Sequence, residues 1–140
     1  MTTAIAPATP PVVWQPHAGF QTRALQCSAF EALIGGAAGP GKTDVLLYGG
    51  LRDIKNPNTR QLFLRESYPE LREVMDRTLG TFRRIGGEWI ASEKRWKFPV
   101  DGNGQAGTYE FGYCSSFAEV QQYLGQEYTG VRFDDGYASA

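Results

Sequence analysis

The stretch GAAGPGKT at residues 36–43 matches the pattern G-x-x-x-x-G-K-[ST] at every fixed position. Its three glycines have no Cβ, so the backbone can bend tightly and turn several N–H groups toward one anion. Lys42 supplies a positive charge for phosphate oxygens, and the hydroxyl of Thr43 is a ligand for Mg²⁺. The octet therefore predicts a phosphate-binding loop for a nucleoside triphosphate. Its residues are Gly36, Ala37, Ala38, Gly39, Pro40, Gly41, Lys42 and Thr43.

The segments that flank the loop fit a strand and a helix. Residues 31–35 belong to a short, largely apolar run, typical of a buried strand, and apolar residues recur at helical spacing over 42–55. A helix that begins at the loop directs the positive end of its dipole at the phosphates. A glycine-rich turn that happens to precede a lysine is the alternative. The strand, loop and helix context favours the phosphate loop.

Length and composition indicate one globular domain. The chain has 140 residues, 41% of them hydrophobic and 21% charged. Residues 1–13 are rich in Thr, Ala and Pro and predict a disordered arm, which leaves 14–140 for the domain. A net charge of −1 gives no general basic character, so any contact with nucleic acid must come from a local patch. Cys27 and Cys114 lack metal-ligand spacing and are expected to be buried thiols in a reducing cytosol.

The order of the elements predicts an α/β fold. A helix at about 19–29 precedes the loop, a strand at 60–65 follows the turn-rich segment after helix 42–55, and a third helix runs from Pro69 to about residue 85. Strands that alternate with helices are typical of a mostly parallel sheet flanked by helices.

The second half of the chain predicts a hairpin and a last strand. Aromatic residues alternate over 89–98 and 109–113 on either side of a turn-rich run, which predicts an inserted β-hairpin. A helix capped by Ser115 then leads to a strand at 131–133. No apolar run approaches the length of a membrane span, so we expect a soluble, intracellular protein.

Two carboxylates, Asp134 and Asp135, follow this last strand. ATPases that transfer phosphoryl groups need one carboxylate for Mg²⁺ and a second group to orient the attacking water. We therefore predict that Asp134 serves the metal and that Asp135 acts as the base. An acidic pair in a surface turn before Gly136 is the alternative.

Four runs of the chain resemble the N-terminal ATPase part of the large terminase subunit of tailed bacteriophages, the motor that packages DNA into proheads. They are GGAAGPGKTDVLL at 35–47, LFLRESYPEL at 62–71, GGEW at 86–89 with RWKFP at 95–99, and YLGQEYTGVRFDD at 123–135. The first run is generic to phosphate-loop proteins, whereas the other three are more specific to the family. The resemblance implies a P-loop NTPase fold of the ASCE type, with ATP and Mg²⁺ as cofactors.

The resemblance also implies roles for two further residues. Gln21 matches a glutamine that reads adenine, and Arg65 matches an arginine on the nucleotide side of the sheet, where it could stabilise phosphate charge in catalysis. From the residues alone, Gln21 could equally be a solvated residue at the start of a helix. Arg65 could equally form a salt bridge with Glu66 or Glu70.

The chain departs from the family at its acidic pair and in its length. The family usually carries Asp-Glu where this chain has Asp134-Asp135, and a carboxylate shorter by one methylene would lie roughly 1 Å from the ideal position, a misplacement that can cost about 10²-fold in rate. We therefore expect impaired hydrolysis. The family's nuclease domain has no counterpart in 140 residues, so we expect a truncated ATPase domain without nuclease activity. The sequence stops following the family pattern after the acidic pair, which would fit a frameshift.

For the full-length family the resemblance implies viral double-stranded DNA, the small terminase subunit and the portal as partners, and the cytoplasm of a bacterial host as the location. A homo-oligomer is also compatible with it. Two alternatives stay open: a small P-loop metabolite kinase, and a non-catalytic fragment that binds nucleotide. The kinase would need an acceptor pocket and an Arg-rich lid, for which the candidate is one basic cluster. A solvated face, or a patch that binds the DNA backbone, is the simpler interpretation of that cluster. Its residues are Arg83, Arg84, Lys94, Arg95 and Lys97.

Overall fold

The computed structural model describes residues 14–16, 40–99, 106–116, 119, 123 and 126–134. The helices and strands are α1 (Pro40–Gly49), β1 (Arg60–Arg65), α2 (Tyr68–Thr81), a 3₁₀ helix (Phe82–Ile85), β2 (Glu88–Ile90), β3 (Arg95–Pro99), β4 (Ala106–Tyr113) and β5 (Gly130–Asp134). Glu119 and Tyr123 are also helical, in the region of the helix predicted after Ser115. The predicted arm at 1–13, helix at 19–29 and strand at 31–35 lie outside the described residues.

The described strands form one sheet in the order β2-β3-β4-β1-β5. β1 pairs in parallel with both β4 and β5, whereas β3 pairs antiparallel with both β2 and β4. The α/β class is therefore confirmed. The expectation of a mostly parallel sheet is wrong for this part of the chain, because the two aromatic runs are not a separate insertion. Their strands continue the sheet, and β4 joins the antiparallel part to the parallel part.

The first aromatic run forms two strands instead of one. β2 and β3 are joined by a tight turn at residues 91–94, in which Lys94 has the left-handed backbone conformation with φ of 51°. A non-glycine residue in this conformation carries steric strain and gives little signal in a hydrophobic pattern. The predicted hairpin between the two runs is present as the antiparallel pair of β3 and β4.

Helix α1 is shorter than the predicted 42–55 because it ends at two glycines. Gly49 is its last residue, and residues 50–55 continue as turns. A Cβ on Gly50 would lie 2.7 Å from the ring of Tyr109 and 2.9 Å from Nε of Arg132, so the backbone approaches the sheet too closely for a side chain. The hydroxyl of Tyr109 donates a 2.6 Å hydrogen bond to the carbonyl of Leu47, which ties α1 to β4.

Both α1 and α2 pack on one face of the sheet. The main core on that face contains Leu47 from α1, Leu71 and Val74 from α2, and Phe63 and Phe111 from the sheet. A second, smaller cluster lies on the opposite face. It consists of Leu62, Leu64 and Cys114, with Tyr123, Tyr128 and Phe133 packed against it.

The connections reverse direction across β1. The chain moves from β1 through α2 to the edge strand β2, continues through β3 to β4, and then returns past Tyr123 to β5 on the other side of β1. Because such crossovers are right-handed, the two connections cover opposite faces of the sheet. The carboxyl ends of strands at such a reversal are where open α/β sheets bind ligands.

Within the described ranges, no helix is long and apolar enough to cross a membrane. Cys114 is a buried free thiol, as its prediction stated, and burial raises its pKa. Cys27 lies outside the described residues.

Candidate nucleotide and metal site

The hydroxyl of Thr43 donates a 2.7 Å hydrogen bond to Oδ2 of Asp134, across 91 positions of sequence. Both residues are buried: Thr43 is 7% exposed and Asp134 is 1% exposed. The alternative interpretation of Asp134 as part of a solvated turn is therefore wrong. The fold therefore brings together Thr43 and Asp134, two residues that the sequence assigns to one metal site.

Three strands place their last residues in one row beside this contact. Arg65 ends β1 and is in register with Tyr113 at the end of β4 and with Asp134 at the end of β5. Side chains alternate between the faces of a sheet, so Arg65 lies on the same face as Phe63, which is in the core against α1 and α2. The row therefore lies at the carboxyl edge of the parallel strands, below the first turn of α1.

Helix α1 is held over the row by contacts beyond the Thr43 bond. Asp44, the next residue of α1, accepts a 2.8 Å hydrogen bond from Nη1 of Arg77 on α2, and these groups also form an ion pair. The pair links the two helices directly beside Thr43. The hydrophobic pattern gives no indication of this contact, because it depends on how the two helices are placed relative to each other.

Arg65 is a buried cation next to the Thr43–Asp134 bond. The residue is 8% exposed, and its Nη1 lies 3.6 Å from Oδ2 of Asp134. In the part of the chain that the structure describes, this carboxylate, rather than Glu66 or Glu70, forms the ion pair with Arg65. Glu70 instead accepts a 3.0 Å hydrogen bond from Ser67 Oγ at the start of α2.

The contact between Thr43 and Asp134 suits Mg²⁺ in both chemistry and spacing. Mg²⁺ prefers oxygen ligands in octahedral geometry, and adjacent ligands at its usual bond length lie about 2.9 Å apart. The hydroxyl and carboxylate oxygens are 2.7 Å apart. Among the described residues no group of three or more His, Cys, Asp or Glu side chains could hold a metal.

Of the predicted loop, the structure describes only the part that begins α1. Pro40 is the first residue of the helix, where its missing N–H costs nothing, and Lys42 and Thr43 lie in the first turn. Lys42 is half-buried and makes a further interaction. Gln21, Gly36, Ala37, Ala38, Gly39 and Asp135 lie outside the described residues, so their predicted roles stay predictions.

The run YLGQEYTGVRFDD also has a packing role that sequence reasoning missed. Tyr128 packs against the smaller core, donates a hydrogen bond to Glu110 on β4, and stacks under the guanidinium of Arg60 at 5.0 Å. Burial, followed by the bond to Glu110, raises the pKa of Tyr128. Tyr123 packs against the same cluster. The two tyrosines therefore help to hold β5, and with it Asp134, against β1.

The basic residues that would serve a kinase do not act as one group, because they have different surroundings. Arg83 and Arg84 are exposed on the 3₁₀ helix. Lys94 lies over the rings of Tyr68 and Tyr113, at 5.1 and 5.5 Å. Nε of Arg95 forms a 2.5 Å ion pair with Glu93.

Comparison with protein families, curated proteins and solved structures gave no match for this chain. The assignment of a function therefore depends on the residues themselves and on the contacts between them.

Proposed function

We propose that this chain is an ATP-binding P-loop domain of the kind found in the large terminase subunit, in which Mg²⁺-ATP binding serves the packaging of viral DNA. The observation that carries the proposal is the buried hydrogen bond between Thr43 and Asp134. The loop motif selects Thr43 and the end of the last strand selects Asp134, and these two choices are independent of each other.

The burial of Asp134 favours a functional role for the carboxylate. Removing a carboxylate from water costs several kcal/mol unless partners offset the loss. Here the partners include the loop hydroxyl and the Arg65 cation, at 2.7 and 3.6 Å. A buried acid placed between these groups at the carboxyl edge of a sheet is typical of a functional site.

Each residue of the site then has a distinct chemical task. Lys42 and the start of α1 present positive charge to the phosphates, while Thr43 and Asp134 hold the metal. When bound, Mg²⁺ neutralises charge that develops on the phosphate oxygens. Asp135 orients the attacking water, and its short side chain predicts slow hydrolysis.

The specific link to viral DNA packaging is supported by the order of the four sequence runs. Two of the family-specific runs meet at the site: LFLRESYPEL supplies Arg65, and YLGQEYTGVRFDD supplies Asp134. The metabolite kinase is less well supported, because its basic cluster is divided between exposed positions and contacts within the protein. The proposed partners are those of the family: viral double-stranded DNA, the small terminase subunit and the portal.

Binding of a fluorescent ATP analogue, with Mg²⁺ and with EDTA, tests the proposal. We expect metal-dependent binding by the wild-type protein and a loss of at least about tenfold in affinity in Lys42→Ala, because the phosphates lose a charged partner. Lys55→Ala is the matched control, since Lys55 is exposed beyond the end of α1. Equal affinities in wild type and Lys42→Ala would overturn the proposal.

A further inference from the structure

Arg65 carries a buried hydrogen-bond donor that has no acceptor. Its Nε is inaccessible to solvent and has no hydrogen-bond partner, and it is the one such side-chain atom found among the described residues. An unsatisfied donor on a charged, buried side chain is costly, and native proteins retain very few of them. Such a donor is expected where a ligand supplies the acceptor.

The contact of Arg65 with Asp134 is an ion pair without a tight hydrogen bond. The 3.6 Å separation of Nη1 and Oδ2 exceeds the usual length of an N–H···O bond, about 2.7–3.2 Å. Arginine and carboxylate usually form shorter bonds, often two in parallel. Arg65 is therefore attracted to Asp134 by its charge while its donors are not locked onto the carboxylate.

The oxygen that faces Arg65 is the one that faces the loop. Oδ2 of Asp134 accepts the hydrogen bond from Thr43 and is also the atom nearest to Nη1 of Arg65. A metal ion held by Thr43 and Asp134 would lie beside this oxygen. Arg65 and a divalent cation would then compete for the same carboxylate.

We propose that Arg65 is an exchangeable counter-ion of Asp134. In the nucleotide-free protein it neutralises the carboxylate and disfavours binding of a metal ion alone. When metal and nucleotide bind together, Arg65 gives up the carboxylate and its unsatisfied donor turns to a phosphate oxygen. The inference depends on the proposed function and assigns Arg65 a second task there, which is to make metal binding dependent on nucleotide.

The test measures Mn²⁺ binding by electron paramagnetic resonance, without nucleotide and with a non-hydrolysable ATP analogue. Arg65→Met removes the charge at similar volume, so Mn²⁺ alone should bind roughly tenfold or more tightly, by analogy with the effect of a neighbouring cation on a carboxylate. The affinity for the analogue should fall by about tenfold, because a phosphate partner is lost. A side chain with only a structural role would not change these two affinities in opposite directions.

Two further variants separate charge from packing. Arg65→Lys retains the charge and should keep the binding of Mn²⁺ alone as weak as in wild type. Arg84→Met is the matched control, because it removes an exposed arginine of the 3₁₀ helix that has no role at the site and should change neither affinity. A Mn²⁺ affinity that stays constant or falls in Arg65→Met would overturn the inference.

A measurement on the wild-type protein covers the case in which Arg65→Met does not fold. At a Mn²⁺ concentration that saturates the complex with the analogue, Mn²⁺ alone should leave Tm unchanged, whereas Mn²⁺ with the analogue should raise it. An equal rise with Mn²⁺ alone would overturn the inference. If the wild-type protein binds no analogue at all, the proposed function fails; if it binds the analogue and only the exchange is missing, the proposed function stands.

Discussion

Thr43 and Thr78 are both buried, but the two clusters around them differ in whether every polar group has a hydrogen-bond partner. Thr78 donates to the carbonyl of Met75 at 2.6 Å and accepts from Nε1 of Trp96 at 3.0 Å, so this neutral cluster is satisfied. Thr43 donates to a carboxylate beside Arg65, whose Nε has no acceptor. The first cluster fixes α2 against β3 and needs nothing more. The second contains charges and an unmet donor, which is the state expected of a site that a ligand completes.

The largest expected effect comes from Asp134→Asn. Breaking a buried ion pair by removing one partner costs about 3–5 kcal/mol in the free energy of unfolding, because the other charge stays buried. The variant should also lose the metal-dependent part of nucleotide binding. Denaturant unfolding and analogue binding check the two effects.

Adding Arg65→Met to Asp134→Asn sharpens this result. The double variant removes both charges of this ion pair, so it should recover most of the lost stability without recovering metal-dependent binding. If stability stayed as low as in Asp134→Asn, the ion pair would not be the source of the loss.

Valine substitutions of the two threonines compare the clusters directly. Thr78→Val leaves Nε1 of Trp96 without its acceptor and should cost about 1–3 kcal/mol of unfolding free energy with no change in nucleotide affinity. Thr43→Val should cost a similar amount of stability and also reduce metal-dependent nucleotide affinity. Weaker nucleotide binding in Thr78→Val would contradict the separation of the two clusters.

Alkaline pH should destabilise the folded protein through two tyrosines, Tyr109 in the main core and Tyr128 beside the smaller cluster. Burial raises the pKa of Tyr109, and the pKa of Tyr128 is raised by burial and by Glu110. The unfolded chain ionises its tyrosines from about pH 10 while these two stay neutral in the folded state. Their stabilising contribution is therefore complete below that pH and is lost as pH rises, by up to about 1.4 kcal/mol per pH unit for the buried Tyr109 and by less for the partly exposed Tyr128. Unfolding measured between pH 9 and 12 should show this slope, and Tyr109→Phe should reduce it.

The smallest expected effect is that of Arg77→Ala. Its ion pair with Asp44 is partly exposed, with side chains 34% and 26% accessible, so the loss should be about 0.2–1 kcal/mol and should diminish at high salt. Because the pair links α1 to α2 near Thr43, nucleotide affinity should fall slightly as well. A loss of stability that is independent of salt would contradict the electrostatic explanation.

The sequence is sufficient to predict the features that depend on local pattern. The short apolar run Leu62-Phe63-Leu64 after a turn-rich segment predicts β1, and Pro69 with the spacing after it predicts α2, both of which the structure confirms. The pairing of Thr43 with Asp134 follows from general requirements of phosphate chemistry, and the structure places the two in contact.

The sequence is insufficient where the outcome depends on distant residues. The direction in which β4 pairs with β1 and with β3 is not encoded in its own alternation, so the mixed sheet was not predicted. The partner of Arg65 depends on the register between β1 and β5, which lie far apart in the chain. The local sequence therefore suggested Glu66 or Glu70 as the ion-pair partner of Arg65. In the structure the partner is Asp134.

The most direct test of a shared metal site is the position of a bound Mn²⁺ ion, located by anomalous diffraction from crystals grown with Mn²⁺ and a non-hydrolysable ATP analogue. We expect one strong Mn²⁺ peak beside the Thr43 hydroxyl and the Asp134 carboxylate, with the ion bound to each directly or through one water and the phosphates completing its coordination. A nucleotide-bound crystal whose Mn²⁺ peak lies away from both side chains would contradict a shared metal site.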